Sequence, residues 1–241
     1  MANHVLLDNI SHKDLKVITE RGAKWGDTIS CTAIFPNEFT KVQAQQPIVF
    51  RKHPNTGQFE ALALFGFENN ENLLLDEQGN LSLNYLPLSM QRQPFLIGQQ
   101  TQYNQGIPEQ SLVVHLDLDS PRLNQEQGEA IFLEHGGNSD YLNHIAQVLN
   151  TLHIENQALP AFFEQLLALN LIEAFSIEYQ QKNGEKVTVG GFYTINQQVL
   201  NTLNGEQLQK LQQGGYLNAI YMAIASLEQI PTLLKNKWAA Q

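Results

Sequence analysis

The chain of 241 residues has little of several things. It has one cysteine, Cys31, which excludes an intramolecular disulfide and any site built on several thiolates. Lys and Arg number 14 against 24 Asp and Glu, for a net charge of −10. That balance speaks against non-specific binding to nucleic acid or anionic membrane, since both need a basic face. Charged residues make up only 16% of the chain, and Asn and Gln supply much of the remaining polarity. No apolar run approaches the ~20 residues that span a bilayer, so no membrane span is expected. The first residues, Met1-Ala-Asn-His-Val-Leu-Leu-Asp, lack the basic region and apolar run of a signal peptide, which sets the expectation of a cytoplasmic protein. Neither G-x-G-x-x-G nor a P-loop sequence occurs, so nucleotide binding lacks its signature. G-x-S-x-G is absent as well.

What is present is enough apolar sequence, 42%, for a substantial core. The first half reads as short strands separated by turns. Thr28–Phe35 is a strand ended by Pro36, and it carries Cys31 as a structural thiol. Pro47–Lys52 and Gln58–Gly66 flank the turn sequence His53-Pro-Asn-Thr-Gly57 and form a hairpin. Leu73–Leu75 continues the meander, and Phe95–Tyr103 and Ser111–Leu118 are two further strands joined by a polar loop around Gly106 and Pro108. Residues 9 to 25 form a short helix or an irregular arm, with Leu15 and Ile18 inward.

After Gly136-Gly137 the apolar period changes to that of helices. Ser139 is the expected N-cap of the first, and Pro160 suits the first turn of a second. Leu171–Gln180 and Glu185–Ile195 flank Asn183-Gly184, a strong hairpin signal, and Gly190-Gly191 suggests a bulge. Asn196 and Asn204 are candidate caps, Gly214-Gly215 is a break, and the helix after it is apolar over most of its circumference, as a buried helix is. The expectation is an α+β fold in one domain, 1–241. In it a largely antiparallel sheet from residues 28 to 118, extended by the 171–195 hairpin, packs against C-terminal helices. Residues 128–139 are the best candidate seam.

A set of segments carries a resemblance: Phe35-Pro-Asn-Glu-Phe, Gln46-Pro-Ile-Val-Phe-Arg-Lys, Thr56-Gly-Gln-Phe, Ala63-Leu-Phe-Gly-Phe-Glu, Glu71-Asn-Leu, Tyr85-Leu-Pro, Gln91-Arg-Gln-Pro-Phe, Leu118-Asp-Ser-Pro-Arg-Leu and Gly191-Phe-Tyr-Thr-Ile-Asn. Together they resemble the SapC family of bacterial proteins, over essentially the whole chain. The resemblance implies association with a surface-layer or uptake system, and a partner resembling the flavin-dependent tryptophan halogenases. It brings no catalytic residues with it. The peptide-transport permease that shares the name is a different protein, because a permease needs several membrane spans.

Two groups of residues are candidates for chemistry. His115, Asp117 and Asp119 alternate with Val114, Leu116 and Leu118, so on a strand the three polar side chains share one face. His-x-Asp is part of the facial triad that holds non-haem iron, with His135, His144 or His153 as further ligands; a polar solvent face explains the same alternation. The second group surrounds Tyr85–Phe95, a segment stiffened by Pro87 and Pro94. Arg92 and Arg122 could each hold a carboxylate or phosphate, and Tyr85 and Phe95 offer flat apolar surface. The commoner use of such arginines is internal pairing, for which Asp117 or Asp119 is the nearest expectation. The segment is expected to cross near the end of the Ser111–Leu118 strand, with a shallow pocket beside Arg92. Three functions follow as expectations: a non-catalytic accessory or binding protein, an iron oxygenase using His115 and Asp117, and a structural surface-layer component. The first rests on the resemblance together with the lack of a complete catalytic set. No cofactor is predicted except iron under the second.

Overall fold

The computed structural model describes residues 3–104, 107–182 and 184–240, without the side chains of 102–104, 107–110 and 240. In chain order the elements are β1 (His4–Leu6), β2 (Lys16–Val17), β3 (Cys31–Ile34), α1 (Phe39–Val42), β4 (Ile48–Lys52), β5 (Phe59–Leu64), α2 (Leu88–Gln91), β6 (Phe95–Asn104) and β7 (Ile107–Asp117). They continue with β8 (Leu123–Asn124), β9 (Glu129–Ala130), α3 (Asp140–Ala168), β10 (Ile172–Gln180), β11 (Lys186–Ile195), α4 (Gln197–Leu200), α5 (Gly205–Gln213), α6 (Tyr216–Ser226) and α7 (Ile230–Ala240). Antiparallel sheets with C-terminal helices make this an α+β protein. The chain forms two compact units, each discontinuous in sequence. The first takes the residues up to Asp27 and Leu88–Ile154; the second takes Thr28–Pro87 and the residues from Glu155 on.

In the first unit β7 lies between β1 and β6. The register pairs Phe95 with Leu116 and Ile97 with Val114, so these four share a face, and Val5, opposite Leu116 on β1, joins them. Phe95 and Leu116 are wholly buried with Ile131, Ile145 and Leu149. Ser139 caps α3, its hydroxyl accepting from Leu142 N at 3.1 Å, as the sequence indicated. A second small sheet, β8-β2-β9, is closed by Gly128. Its φ of +107° favours glycine, and any Cβ there would run into the Val17 carbonyl.

The second unit holds a five-stranded sheet in the order β10-β11-β4-β5-β3. The 53–58 connection between β4 and β5 and the antiparallel pairing of those strands match the expected hairpin. Opposite Ser176 of β10, two residues of β11, Gly190 and Gly191, are accommodated between the Phe175–Phe192 and Ile177–Val189 pairs. This is the expected bulge, with Gly191 at φ +85°. Phe162, Phe163 and Leu166 of α3 pack with Phe50 and with Ile220 and Ala223 of α6. Asn196 caps α4 and Asn204 closes a capping box on α5.

Four expectations differ from the structure. The strands of residues 28–118 do not form one sheet: β6 and β7 pair with each other, and β7 also pairs with β1, a three-residue strand too short to show periodicity. Pro160 does not begin a second helix but lies inside α3; Leu142, Ile145 and Leu149 before it are packed in one core and Phe162, Phe163 and Leu166 after it in another, and that packing outweighs the lost backbone bond. Leu73–Leu75 is no strand of the sheet; only a Leu75–Leu81 bridge forms there. Pro108 belongs to β7, while Gly106 and Asn183 of the two expected turns lie outside the described residues. No helix among the described residues is long and apolar enough to cross a membrane.

A candidate binding cleft in the first unit

The prolines that bracket residues 88–93 leave room for one helical turn, α2. Met90 anchors it in the interior, and Arg92 N donates to Leu88 O at 3.1 Å. The chain then enters β6 at Phe95, whose amide donates back to Arg92 O at 2.7 Å, and Asp117 N donates to Pro94 O at 3.1 Å. That last bond brings the Arg92 turn to the end of β7, where it was expected. Residues 117–121 turn tightly there: Ser120 N donates to Asp117 O, Asp119 N to Asp117 Oδ1 and Asn3 N to Asp119 Oδ2. Between these two turns opens a cleft of about 270 Å³ whose lining includes Trp25, Arg92, Pro94, Asp117, Asp119 and Pro121.

Arg122 stands at the same cleft but is only 1% exposed. Its Nη1 donates to Glu20 O at 2.8 Å and Ile18 O at 3.3 Å, and its Nη2 to Asp27 Oδ2 at 2.8 Å. Asp27 is wholly buried and also accepts from Gly22 N at 2.7 Å and from Arg21 Nη1 at 3.4 Å. Arg21 in turn donates to Gln93 Oε1 at 2.9 Å. Burial, and after it the neighbouring Arg122, bring the Arg21 guanidinium down to about 10 against the pull of Asp27. It therefore keeps its charge at neutral pH, so the buried Arg122 and the partly buried Arg21 share one aspartate. Tyr141, close to both, is pushed up to about 12 by burial.

Arg92 differs from both. Its Nη1 donates to Phe95 O at 2.7 Å, and no carboxylate of the described residues comes within 4.0 Å of it. Burial alone lowers its pKa. The expected pairing of Arg92 and Arg122 with Asp117 or Asp119 is thus not what forms. Arg122 takes Asp27, which approaches from 95 positions away, and Arg92 takes a carbonyl of its own turn.

The remaining candidates are placed as follows. Phe95 is wholly buried in the core and offers no surface. Tyr85 belongs to the second unit, where its hydroxyl donates to Glu38 Oε1 at 3.2 Å and Lys41 Nζ lies 4.9 Å from its ring centre; burial raises its pKa. His115 lies over Gly98, where a Cβ would come within 2.6 Å of His115 Nε2. Asp117 follows His115 on the same face of β7. Among the described residues no three of His, Cys, Asp and Glu are grouped to hold a metal ion, so His135, His144 and His153 do not complete a triad with His115 and Asp117. Asp27 and Arg21 carried no sequence signal at all, since neither lies in a periodic element or beside its partner in the chain.

The fold and the cleft define the class: an α+β protein with an arginine-bearing surface cleft and, among the described residues, no assembled metal centre. The family model for SapC matches residues 7–233. The chain belongs to the SapC family. No curated protein matches it, nor does any solved structure.

Proposed function

We propose that this SapC-family protein is a non-catalytic binding protein, an accessory of a bacterial surface or uptake system, and that Arg92 captures a carboxylate in the first-unit cleft. One observation supports the reading above the rest. Arg92 lines a cleft, and among the described residues its side chain has a single hydrogen bond, to Phe95 O, and no acid to neutralise it. A guanidinium presents five donors in a rigid fork, so most of that capacity is open to a ligand. The short bonds of the 88–95 turn hold the fork in place, which lowers the ordering cost of binding. The family resemblance puts forward a halogenase-like flavoprotein as the partner.

The test is Arg92→Ala, with titration calorimetry against acetate, 4-methylpentanoate and 3-phenylpropionate. Binding of the carboxylates should disappear. Stability should fall by only about 1 kcal/mol, the net worth of one hydrogen bond. A loss of several kcal/mol, or carboxylate binding that survives the substitution, would make Arg92 a structural residue and end this reading.

A further inference from the structure

The cleft holds more than Arg92. Asp117 and Asp119 line it too, and among the described residues neither makes an ion pair. Their hydrogen bonds are to the backbone amides of Asp119 and Asn3, which leaves carboxylate oxygens free on both. Unpaired charges of opposite sign thus share one small cleft without meeting, and the shortfall on each side calls for the opposite charge from a ligand.

The surroundings carry both signs of charge. Arg21 and Arg122 against Asp27 leave one positive charge behind the cleft. Arg92 adds a second and Lys24, whose Nζ lies 4.5 Å from the Trp25 ring centre, a third, while Asp117 and Asp119 supply two negative charges at the cleft itself. A ligand of one sign would meet only Arg92 or only the two aspartates, whereas one carrying both signs meets both. Size narrows the class further. At about 270 Å³ the cleft is below the ~300 to 1,000 Å³ of drug-sized pockets. Its apolar walls, Trp25, Pro94 and Pro121, have room for one compact apolar group. Trp25 is followed by the turn at Gly26, whose amide donates to Ala23 O and where an added Cβ would stand 3.8 Å from Pro121 Cγ.

Extending the Arg92 reading, on which it rests, we infer that the cleft takes a small zwitterion of the free α-amino-acid type. Its carboxylate lies on the Arg92 fork, its ammonium group between Asp117 and Asp119, and its apolar side chain against Trp25 and the two prolines.

The experiment uses the full chain and matched probes: L-leucine and L-phenylalanine, their amides, and their deaminated counterparts 4-methylpentanoate and 3-phenylpropionate. Titration calorimetry is run on the wild type and on Asp117→Asn/Asp119→Asn, which keeps both backbone-amide acceptors and so leaves the 117–121 turn intact. In the wild type the amino acid should bind about tenfold tighter than its deaminated form, the worth of one charge-assisted hydrogen bond. The amide should be weaker still, and the tenfold gain should vanish in the double variant. Equal affinity for amino acid and deaminated acid overturns the zwitterion while leaving Arg92 as a carboxylate site. So does a gain that persists without the two aspartates. If no probe binds the wild type, both readings fall.

Discussion

Arg122→Ala is the sharpest perturbation of the first unit. Three bonds vanish with the side chain. The carbonyls of Glu20 and Ile18 lose their donor, and Asp27, at 0% exposure, loses its 2.8 Å partner. Removing one member of a buried ion pair costs about 3 to 5 kcal/mol, because the other charge is left uncompensated. Here Asp27 keeps Gly22 N and the longer 3.4 Å contact with Arg21, which argues for the lower end, about 3 kcal/mol. Asp27→Asn should cost more than Arg122→Ala, since it strips the shared anion from both the Arg122 and the Arg21 guanidinium groups at once. The double variant Asp27→Asn/Arg122→Ala should cost less than the sum of its parts, because only Arg21 then keeps a charge without its partner. Urea unfolding followed by tryptophan fluorescence reads this out. The only tryptophans are Trp25 and Trp238, so a Trp238→Phe background reports the first unit through Trp25 and avoids assuming that both units unfold together. A cost for Arg122→Ala below about 1 kcal/mol, the range of exposed ion pairs, would refute the reasoning.

Three further outcomes are expected. Gly98→Ala places a methyl group on the His115 ring; the ring has to turn away, and a loss of about 1 kcal/mol in urea unfolding should shrink when His115→Ala is added. Burial works to lower the Lys237 pKa, but hydrogen bonds to Glu68 and Glu71, both at 2.5 Å, overcome it and raise the value. The stability this pair of bonds contributes is therefore complete below the ordinary lysine value near 10.4 and is lost as pH climbs through the higher folded-state value. Wild type and Lys237→Met compared from pH 8 to 12 should converge at the alkaline end, and parallel curves would disprove the assignment. Asn204→Ala removes the capping box of α5 and should lower stability by about 1 kcal/mol, measured as a shift in the second unit's urea midpoint.

Legibility in the sequence followed the range of the interaction. The caps Ser139, Asn196 and Asn204 were readable because a cap and its amide are three residues apart. The Gly190-Gly191 bulge and the β4–β5 hairpin were readable for the same reason: turn chemistry and period-2 alternation are local. The assignment of strands to sheets was not. β6 and β7 carry the same pattern as β3 to β5, and nothing in alternation states that their neighbour is His4–Leu6 instead of the 28–64 strands. Pro160 misled because a proline's local preference for the first turn was set against packing on both sides of it, which only the fold reveals. In the cleft, the proline-bracketed turn and its position at the end of β7 were legible; the partner of each arginine was not.

Arg92 and Arg122 make that limit concrete. In sequence they look alike: Gln-Arg-Gln-Pro and Ser-Pro-Arg-Leu each set an arginine beside a proline in a turn. Their fates differ because one carboxylate, Asp27, arrives from a distant turn and reaches only Arg122. With Asp117 or Asp119 within ion-pair distance of Arg92, the cleft would hold a closed salt bridge and nothing to bind with. Instead, the Asp117 N bond to Pro94 O fastens the two turns through backbone while their charged side chains remain apart. Backbone bonds are indifferent to the side chains they carry, so they can hold opposite charges at a fixed separation that free side chains would collapse. The buried Arg21–Asp27–Arg122 group adds a second constraint, since a shared, already neutralised Asp27 cannot also serve Arg92. The open guanidinium is therefore a consequence of how the first unit distributes its carboxylates, and it should persist in any variant that leaves the 88–95 and 117–121 turns bonded to each other.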